Sequence, residues 1–314
     1  MKRLEAFLVG LAIVSLMPVL AGAQGFGLPG CGAASCDPEK KIGGAAGYLG
    51  YMKADKGFEI NFTYKDIPVI PILLRARSPL EGLWVGGSLS TETSESFGLL
   101  VNGWLLLPAG KTGSESYELT GVAGVDHREW TVKPRWWYWD ALLTVGNLGG
   151  FTVLGGVRYD FFDIRSQDPT LPTIFWPGLS TDTADLTLKT WFPLGGVQYA
   201  SKDGESGFLI QVLATPVLLG RVNAKETVGG FGPARIEASG NYRSGGLIEV
   251  FTEFTKKFGD AEGGLFARYT WVNAKSDVAV DVLFPGGVTL NNGTYDMSFS
   301  RSTWTIGGKV GVSF

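Results

Sequence analysis

The sequence has 314 residues, a formal net charge of −3 and a single histidine. A slightly acidic chain does not favour a nucleic-acid partner, which would need clustered Lys and Arg. Hydrophobic residues make up 45% of the chain and the mean hydropathy is +0.13, which is high for an acidic soluble protein. Beyond the N-terminal region, however, no apolar run reaches the roughly 18 residues that a membrane-spanning helix needs. Dispersed apolar residues, with 46 Gly and 10 Trp, therefore favour strands over helices.

Residues 1–23 have the three parts of a secretory signal peptide. Lys2 and Arg3 are basic, Ala6 to Leu16 is an uncharged apolar run of 11 residues, and Ala21 to Ala23 offers small residues before a cut. Eleven helical residues span only about 16 Å, which is too short to cross a bilayer. We therefore expect a cleaved signal and an exported protein.

Residues 24–56 form a Gly-rich segment that contains Cys31 and Cys36, the two cysteines of the chain. In an exported protein such a pair predicts a small loop closed by a disulfide, with reduced or intermolecular forms as alternatives. The chain lacks a CxxCH motif, and His127 lies far from both cysteines. We expect no metal and no cofactor.

From residue 57 onward, short and long connections between strand-like segments alternate. Four tight turns are predicted at Thr91–Glu95, Gly146–Gly150, Ser201–Glu205 and Gly259–Gly263. The longer polar or Gly/Pro-rich stretches between the hairpins are 108–131, 166–184, 223–240 and 277–299. Barrels of the outer membrane alternate short periplasmic turns with long extracellular loops in this way.

The segments predict an all-β, transmembrane, antiparallel up-and-down β-barrel of about ten strands over residues 57–314. The strands are expected near 57–65, 80–91, 96–107, 132–146, 150–165, 185–201, 206–222, 241–257, 262–276 and 300–314. Gly43–Met52 and Ile67–Ala76 could be two more, which would make twelve. Ten is preferred because Pro68 and Pro71 cannot donate hydrogen bonds to a strand ladder.

The last strand reads STWTIGGKVGVSF, with Val310, Val312 and Phe314 on one face and Lys309 on the other. A last strand that ends on Phe resembles the terminal strand of bacterial outer-membrane proteins, which their assembly machinery recognises. With the signal peptide, the chain resembles a Gram-negative outer-membrane β-barrel protein. That resemblance implies location in the cell outer membrane, with the lipid bilayer and the barrel assembly machinery as partners.

Charged residues alternate with apolar ones along the strands, so one face is charged and the other apolar. An Arg or Lys facing lipid near the bilayer midplane costs about 2–4 kcal/mol, so the charged face must be the lumen. The predicted lumen residues are Glu59, Asp140, Arg158, Asp160, Lys189, Glu249, Glu253, Arg268 and Lys309. Register places Asp140 diagonally to Arg158, and Arg268 diagonally between Glu249 and Glu253.

These charges have two interpretations. They could form a charged constriction that selects solutes, or a salt-bridged filling that plugs a narrow barrel. One irregularity accompanies them: Pro193 and Pro216 fall inside predicted strands, near each other by register. A closed barrel has no free edge for proline, so we expect a shared bulge there or an error in that hairpin.

The leading functional hypothesis is a narrow porin-like channel for small solutes. The first alternative is a surface binding or adhesion protein that acts through its four long loops. The second is a hydrolase, because the strand count resembles the omptin proteases, which use acidic residues and an Asp-x-His pair at the extracellular rim. Here Asp126 directly precedes His127. Adjacent residues of an extended chain point in opposite directions, so this spacing departs from that pattern and we assign no catalytic residue.

Overall fold

The computed structural model describes residues 43–64, 72–78, 80–94, 97–108, 111–119, 125–167, 180–229, 234–284 and 286–313. Within these ranges, no helix is long and apolar enough to cross a membrane. The described elements are strands: β1 (Gly43–Tyr64), β2 (Ile72–Ser78), β3 (Glu81–Ser94), β4 (Phe97–Pro108), β5 (Lys111–Leu119), β6 (Val125–Leu148), β7 (Phe151–Gln167), β8 (Ser180–Asp203), β9 (Ser206–Thr215), β10 (Leu219–Gly229), β11 (Ala234–Phe258), β12 (Ala261–Leu283) and β13 (Thr289–Ser313).

The thirteen segments occupy ten positions around one closed antiparallel ring. Three positions are shared by two consecutive segments each: β2 and β3 both pair with β1, β4 and β5 both pair with β6, and β9 and β10 both pair with β8 and β11. β13 pairs with β1 along both strands and closes the ring. The predicted antiparallel up-and-down barrel is therefore confirmed.

The first strand begins earlier than predicted. Residues 43–56 belong to β1, so the barrel extends from residue 43 and the predicted boundary at 57 is wrong. The glycine-rich composition of this stretch suggested a segment that tucks into or beneath the barrel, but at Gly50 the packing of the strand requires glycine. A Cβ on Gly50 would press against the backbone oxygen of Ile306 and the ring of Phe266. A bulge between Ala54 and Phe58 joins the two halves of the strand.

Short connections collect at one end of the ring and longer ones at the other. The turns between β6 and β7, β8 and β9, and β11 and β12 each join their strands within a few residues, close to the predicted positions. Gly204 and Gly259 adopt left-handed backbone angles (φ 57° and 68°) in two of them. Such angles are readily accessible only to glycine, so the sequence fixes these turns. The start of β1 and the end of β13 lie at this same end, where Gly44 pairs with Ser313.

The outer surface of the ring divides into an apolar and a charged part. Near the short turns it exposes large apolar side chains, such as Leu143 (61%), Leu265 (69%) and Val310 (69%). A row of aromatic rings in mutual contact then follows, in which Tyr159 lies 5.5 Å from Trp137 and 4.8 Å from Trp191, measured between ring centroids. The strands continue past this row, and their outward residues there form ion pairs such as that between Arg243 and Asp277. The apolar part is therefore the surface suited to lipid.

Candidate functional site: the filled interior of the barrel

Arg158 lies at the centre of the interior, with a side chain that is 1% exposed. Its guanidinium donates to Asp140 and to both carboxylate oxygens of Glu249, with each of these N–O distances at 2.8 Å. Asn102 donates to the other Asp140 oxygen at 2.6 Å and Thr270 donates to Glu249 at 2.9 Å. Each of these carboxylates thus has partners from two strands. A fully partnered network of this kind is what burial of charge requires.

Arg268 extends this central network toward the aromatic side chains. Its guanidinium carbon lies 3.7 Å from the ring centroid of Trp104, its Nε is 3.9 Å from Glu249, and it donates to the hydroxyl of Tyr138. The guanidinium of Arg158 covers the other ring, 4.2 Å from the centroid of Tyr138. Two cations and two aromatic rings therefore pack against one another in the interior at this height.

A second network lies further toward the end with the longer connections. Arg301 pairs with Asp160 at 2.8 Å, and Trp136 donates its indole N–H to the same carboxylate at 3.2 Å. Arg301 also stacks over Trp136, 3.6 Å from the ring centroid. Arg301 was not among the predicted lumen residues, although its spacing of two from Thr303 and Thr305 placed it on the charged face.

A third network lies near the short turns. Lys309 binds Glu253 at 2.5 Å and Glu262 at 2.6 Å, and Tyr48 donates its hydroxyl to Glu253 at 3.2 Å. A cavity of about 230 Å³ opens beside it at the mouth of the barrel, lined in part by Ser88, Lys309 and Glu262.

Apolar side chains fill the space between the networks. The largest fully buried ones include Trp84, Trp136, Phe162 and Phe192, and Met52, Leu142 and Val222 are completely covered. Beyond the second network the inward residues are small or apolar, among them Ala238, Val278, Val280 and Met297. The interior is therefore a packed core interrupted by three layers of paired charge.

The structure brings most of the predicted lumen residues together inside the ring. Six are buried there: Asp140, Arg158, Asp160, Glu249, Glu253 and Arg268. A seventh, Lys309, also points inward, with a side chain that is 9% exposed. Asp140 and Arg158 are direct cross-strand partners rather than diagonal ones, because an irregularity beside the β6–β7 turn shifts the register.

Two predicted residues lie on the outer surface instead. Lys189 is exposed and shares its face with Trp191, because the inward positions of β8 are Leu188 and Thr190. Glu59 pairs with Ser300, which lies between the inward residues Phe299 and Arg301. The prediction assigned the charged face of residues 58–65 to the lumen, whereas pairing with β13 places Glu59 on the opposite face.

The irregularity expected at the two prolines is present. The pairing of β8 passes from Ala214 on β9 to Leu219 on β10, leaving Pro216 to Leu218 outside the ladder. Thr215 compensates locally: its hydroxyl accepts from the N–H of Val217 at 3.1 Å and donates to the Val217 carbonyl at 2.9 Å. We refer to residues 216–218 as the β9–β10 break.

Several predicted features fall outside the described residues. These are the signal peptide, Cys31 and Cys36 with their disulfide, Phe314, and parts of the predicted long stretches, chiefly 168–179. The prediction of long connections at 108–131, 223–240 and 277–299 is wrong for most of their residues, which belong to strands β5, β6 and β10 to β13. Polar residues there suggested loops, but these strand ends extend past the apolar band, where polar outward side chains are tolerated. Val310 and Val312 are described, and both are exposed on the outer face as the terminal strand pattern predicted. His127 pairs through its backbone with Ser116 between β5 and β6. Within the described ranges, no group of three or more His, Cys, Asp or Glu side chains could hold a metal ion.

No family model and no curated protein matches the sequence. The outer membrane protease OmpT from Escherichia coli superposes with a TM-score of 0.66 at 9% identity, over 90% of this chain and 99% of that one. A FadL homologue from Pseudomonas aeruginosa gives a TM-score of 0.32 at 9% identity, over 87% and 90% of the two chains. OprG from Pseudomonas aeruginosa gives 0.30 at 9% identity, over 86% and 96%.

Fold, surface and interior together define the class: the chain is an outer-membrane β-barrel. Its strands close into a ring with an apolar outer band and a charged interior, which is the arrangement that a bilayer requires of spanning strands. Within that class, the chain and OmpT share the same fold over nearly the whole of both chains.

Proposed function

We propose that this barrel is closed to solutes and acts at the cell surface through its extracellular end, as a binding or adhesion protein. The observation that carries the proposal is the buried network of Arg158, Asp140 and Glu249, which spans the lumen at the height of the apolar band. A porin-like function would need an open, hydrated path past these side chains. Their partners instead make the network a stable filling, which supports the surface alternative over the channel.

The extent of the barrel beyond the lipid band also supports this proposal. β11 and β13 each contain 25 residues. At about 3.3 Å per residue such a strand is about 80 Å long, and a tilt of about 40° reduces its height to about 60 Å. An apolar band is only about 25 Å tall. A large part of the barrel would therefore stand outside the bilayer, where a surface-binding protein needs its contact area.

The charged outer surface of this extension is consistent with contact with water. Outward ion pairs join Lys225 to Glu237, Arg235 to Glu237, and Arg243 to both Asp277 and Asp296. Half-exposed pairs of this kind contribute little to stability, so they are suited to a surface that meets water or a partner.

Single-channel recording of the refolded protein in a planar bilayer tests the proposal. We expect no stable current steps from the unaltered barrel at any salt concentration. The matched control is Arg268→Ala/Glu249→Ala, which removes two interior side chains and should produce measurable leakage if inserted barrels are being recorded. Stable steps from the unaltered protein, whose size or ion selectivity changes in Lys309→Met, would show an open lumen and overturn the proposal.

A further inference from the structure

The outer surface of the barrel around the β9–β10 break carries two features that the packed interior does not explain. We propose that this surface binds a phosphorylated glycolipid of the outer leaflet. Lys189 and Arg221 would hold its phosphate, and the apolar surface of the break would hold its acyl chain.

The first feature is a pair of adjacent cations. Lys189 on β8 and Arg221 on β10 are direct cross-strand partners, and both are exposed on the outer face. Among the described residues, neither has a carboxylate within ion-pair distance. Like charges placed directly opposite in a ladder repel each other, so an external anion would stabilise this pair.

Nearby outward acids are already engaged. Asp163 is bound by Arg135 and accepts from the hydroxyl of Thr187 at 2.8 Å. Asp277 is bound by Arg243 at 3.1 Å. These ion pairs flank the two cations on either side, and the contrast makes Lys189 and Arg221 an open anion site with two different donors. Ammonium and guanidinium groups together suit a phosphate.

The second feature is the apolar surface next to the cations. One outward step closer to the short turns, Trp191 pairs with Leu219, and these side chains are 43% and 61% exposed. Val217 in the break and Ile248 on β11 are 48% and 45% exposed. Trp191 also belongs to the aromatic row, with its ring centroid 5.6 Å from that of Trp139. Aromatic rows of this kind mark the level where acyl chains meet head groups.

The break itself is compatible with lipid contact. An interrupted ladder leaves backbone groups without partners, which is costly in hydrocarbon. Here the Thr215 hydroxyl accepts a hydrogen bond from the N–H of Val217, and the side-chain oxygen of Asn273 accepts one from the N–H of Gly246 at 2.9 Å. Leu218 turns inward and is 5% exposed. The break therefore presents its apolar side chains outward while side-chain partners satisfy these backbone groups.

One ligand class satisfies both features. The outward step from Leu219 to Arg221 spans about 7 Å along the strand, so an anionic group and an acyl chain must be joined at close range. A free phosphate would use the cations alone, and a neutral lipid would use the apolar surface alone. The phosphorylated glycolipid of a Gram-negative outer leaflet carries the two groups together.

The test compares lipid binding by the full refolded barrel in mixed micelles that contain diphosphorylated lipid A or its dephosphorylated form. Lys189→Gln/Arg221→Gln is the test variant. The matched control is Lys202→Gln/Lys256→Gln, which removes the same charge from β8 and β11 near the short turns at the opposite end. Lipid retained after gel filtration is measured by mass spectrometry, and circular dichroism checks that each variant is folded.

We expect the test variant to bind diphosphorylated lipid about tenfold more weakly, which corresponds to about 1.4 kcal/mol, and the control variant to bind like the unaltered protein. Val217→Ala/Leu219→Ala should weaken binding as well. Equal binding by the test variant, or equal binding of the phosphorylated and dephosphorylated lipids, would overturn the proposal. Complete displacement of the lipid by millimolar inorganic phosphate would also overturn it, by showing a site for a free anion.

Discussion

At the scale of single residues, the most informative feature is the burial of charge. Arg158 and Glu249 have side chains that are 1% and 3% exposed, and they face each other across the ring from β7 and β11. Removing two charges from water costs several kcal/mol per ion, which is recovered only when each hydrogen-bonding group has a partner. The network meets that condition for Arg158 by using two carboxylates and for each carboxylate by adding a neutral donor, Asn102 or Thr270.

Replacing Arg158 by methionine should therefore destabilise the barrel strongly. The substitution leaves Asp140 buried without a cation and Glu249 with only the more distant Arg268, and breaking a buried pair in this way costs about 3–5 kcal/mol. The free energy of unfolding in guanidinium chloride measures the effect. Arg235→Met is the control, because Arg235 is half exposed and pairs with Glu237 at the surface, where the loss should stay below about 1 kcal/mol. Equal losses in the two variants would contradict a structural role for the network.

At the scale of an element, β6 shows how one strand serves two environments. Its inward residues Trp136, Tyr138 and Leu142 are almost completely buried, whereas Leu143 and Val145 are exposed on the outer face. Side chains alternate between faces along a strand. Within the apolar band, each residue of β6 therefore faces either the packed interior or the lipid. Further along the same strand Arg135 pairs with Asp163, which marks the transition to the charged part of the outer surface.

The boundary between these two parts of the surface can be located by introducing arginine. Leu143→Arg should cost about 2–4 kcal/mol of unfolding free energy in lipid vesicles, because this outward position lies near the middle of the apolar band. Ser239→Arg, at an exposed outward position beyond the aromatic row, should cost less than about 0.5 kcal/mol. Reversal of this order would mean that the bilayer surrounds the other end of the barrel.

At the scale of the whole molecule, the barrel is asymmetric along its axis. The short turns and the paired ends of β1 and β13 lie beside the apolar band, while the longer connections lie at the end of the charged extension. Outer-membrane barrels place short turns in the periplasm and long loops outside the cell. The charged extension, including the Arg243–Asp277 pair, should therefore project from the cell surface.

Cysteine labelling of intact cells tests this orientation. Ser239→Cys in the extension should react with a membrane-impermeant maleimide on whole cells, because its side chain is exposed on the outer face. Asp203→Cys in the β8–β9 turn should react only after the outer membrane is permeabilised. The unaltered chain, with Cys31 and Cys36, gives the background signal. Labelling of Asp203→Cys on intact cells would require the opposite orientation.

Local sequence patterns were sufficient to predict the class of the fold and the position of most strands. Alternation of apolar and polar residues is a local property. Around Arg158, Glu249 and Lys309 it continues for enough residues to show on which face of the strand each side chain lies. The turns at Gly204 and Gly259 could also be predicted from local sequence, because they depend on backbone angles that glycine readily adopts. The two prolines marked the β9–β10 break for the same reason, since proline cannot donate to a ladder.

Which residues of distant strands meet depends on closure of the ring. Pairing with β13 set the face of Glu59, and Gly50 lies in a strand where Ile306 and Phe266 leave no room for a side chain. The pairing of Arg158 with Glu249 and of Arg301 with Asp160 depends on closure of the ring, which brings together residues 91 and 141 positions apart. Whether the lumen is open or filled follows from that closure, because side-chain volume fills an interior only when strands from the whole chain surround it.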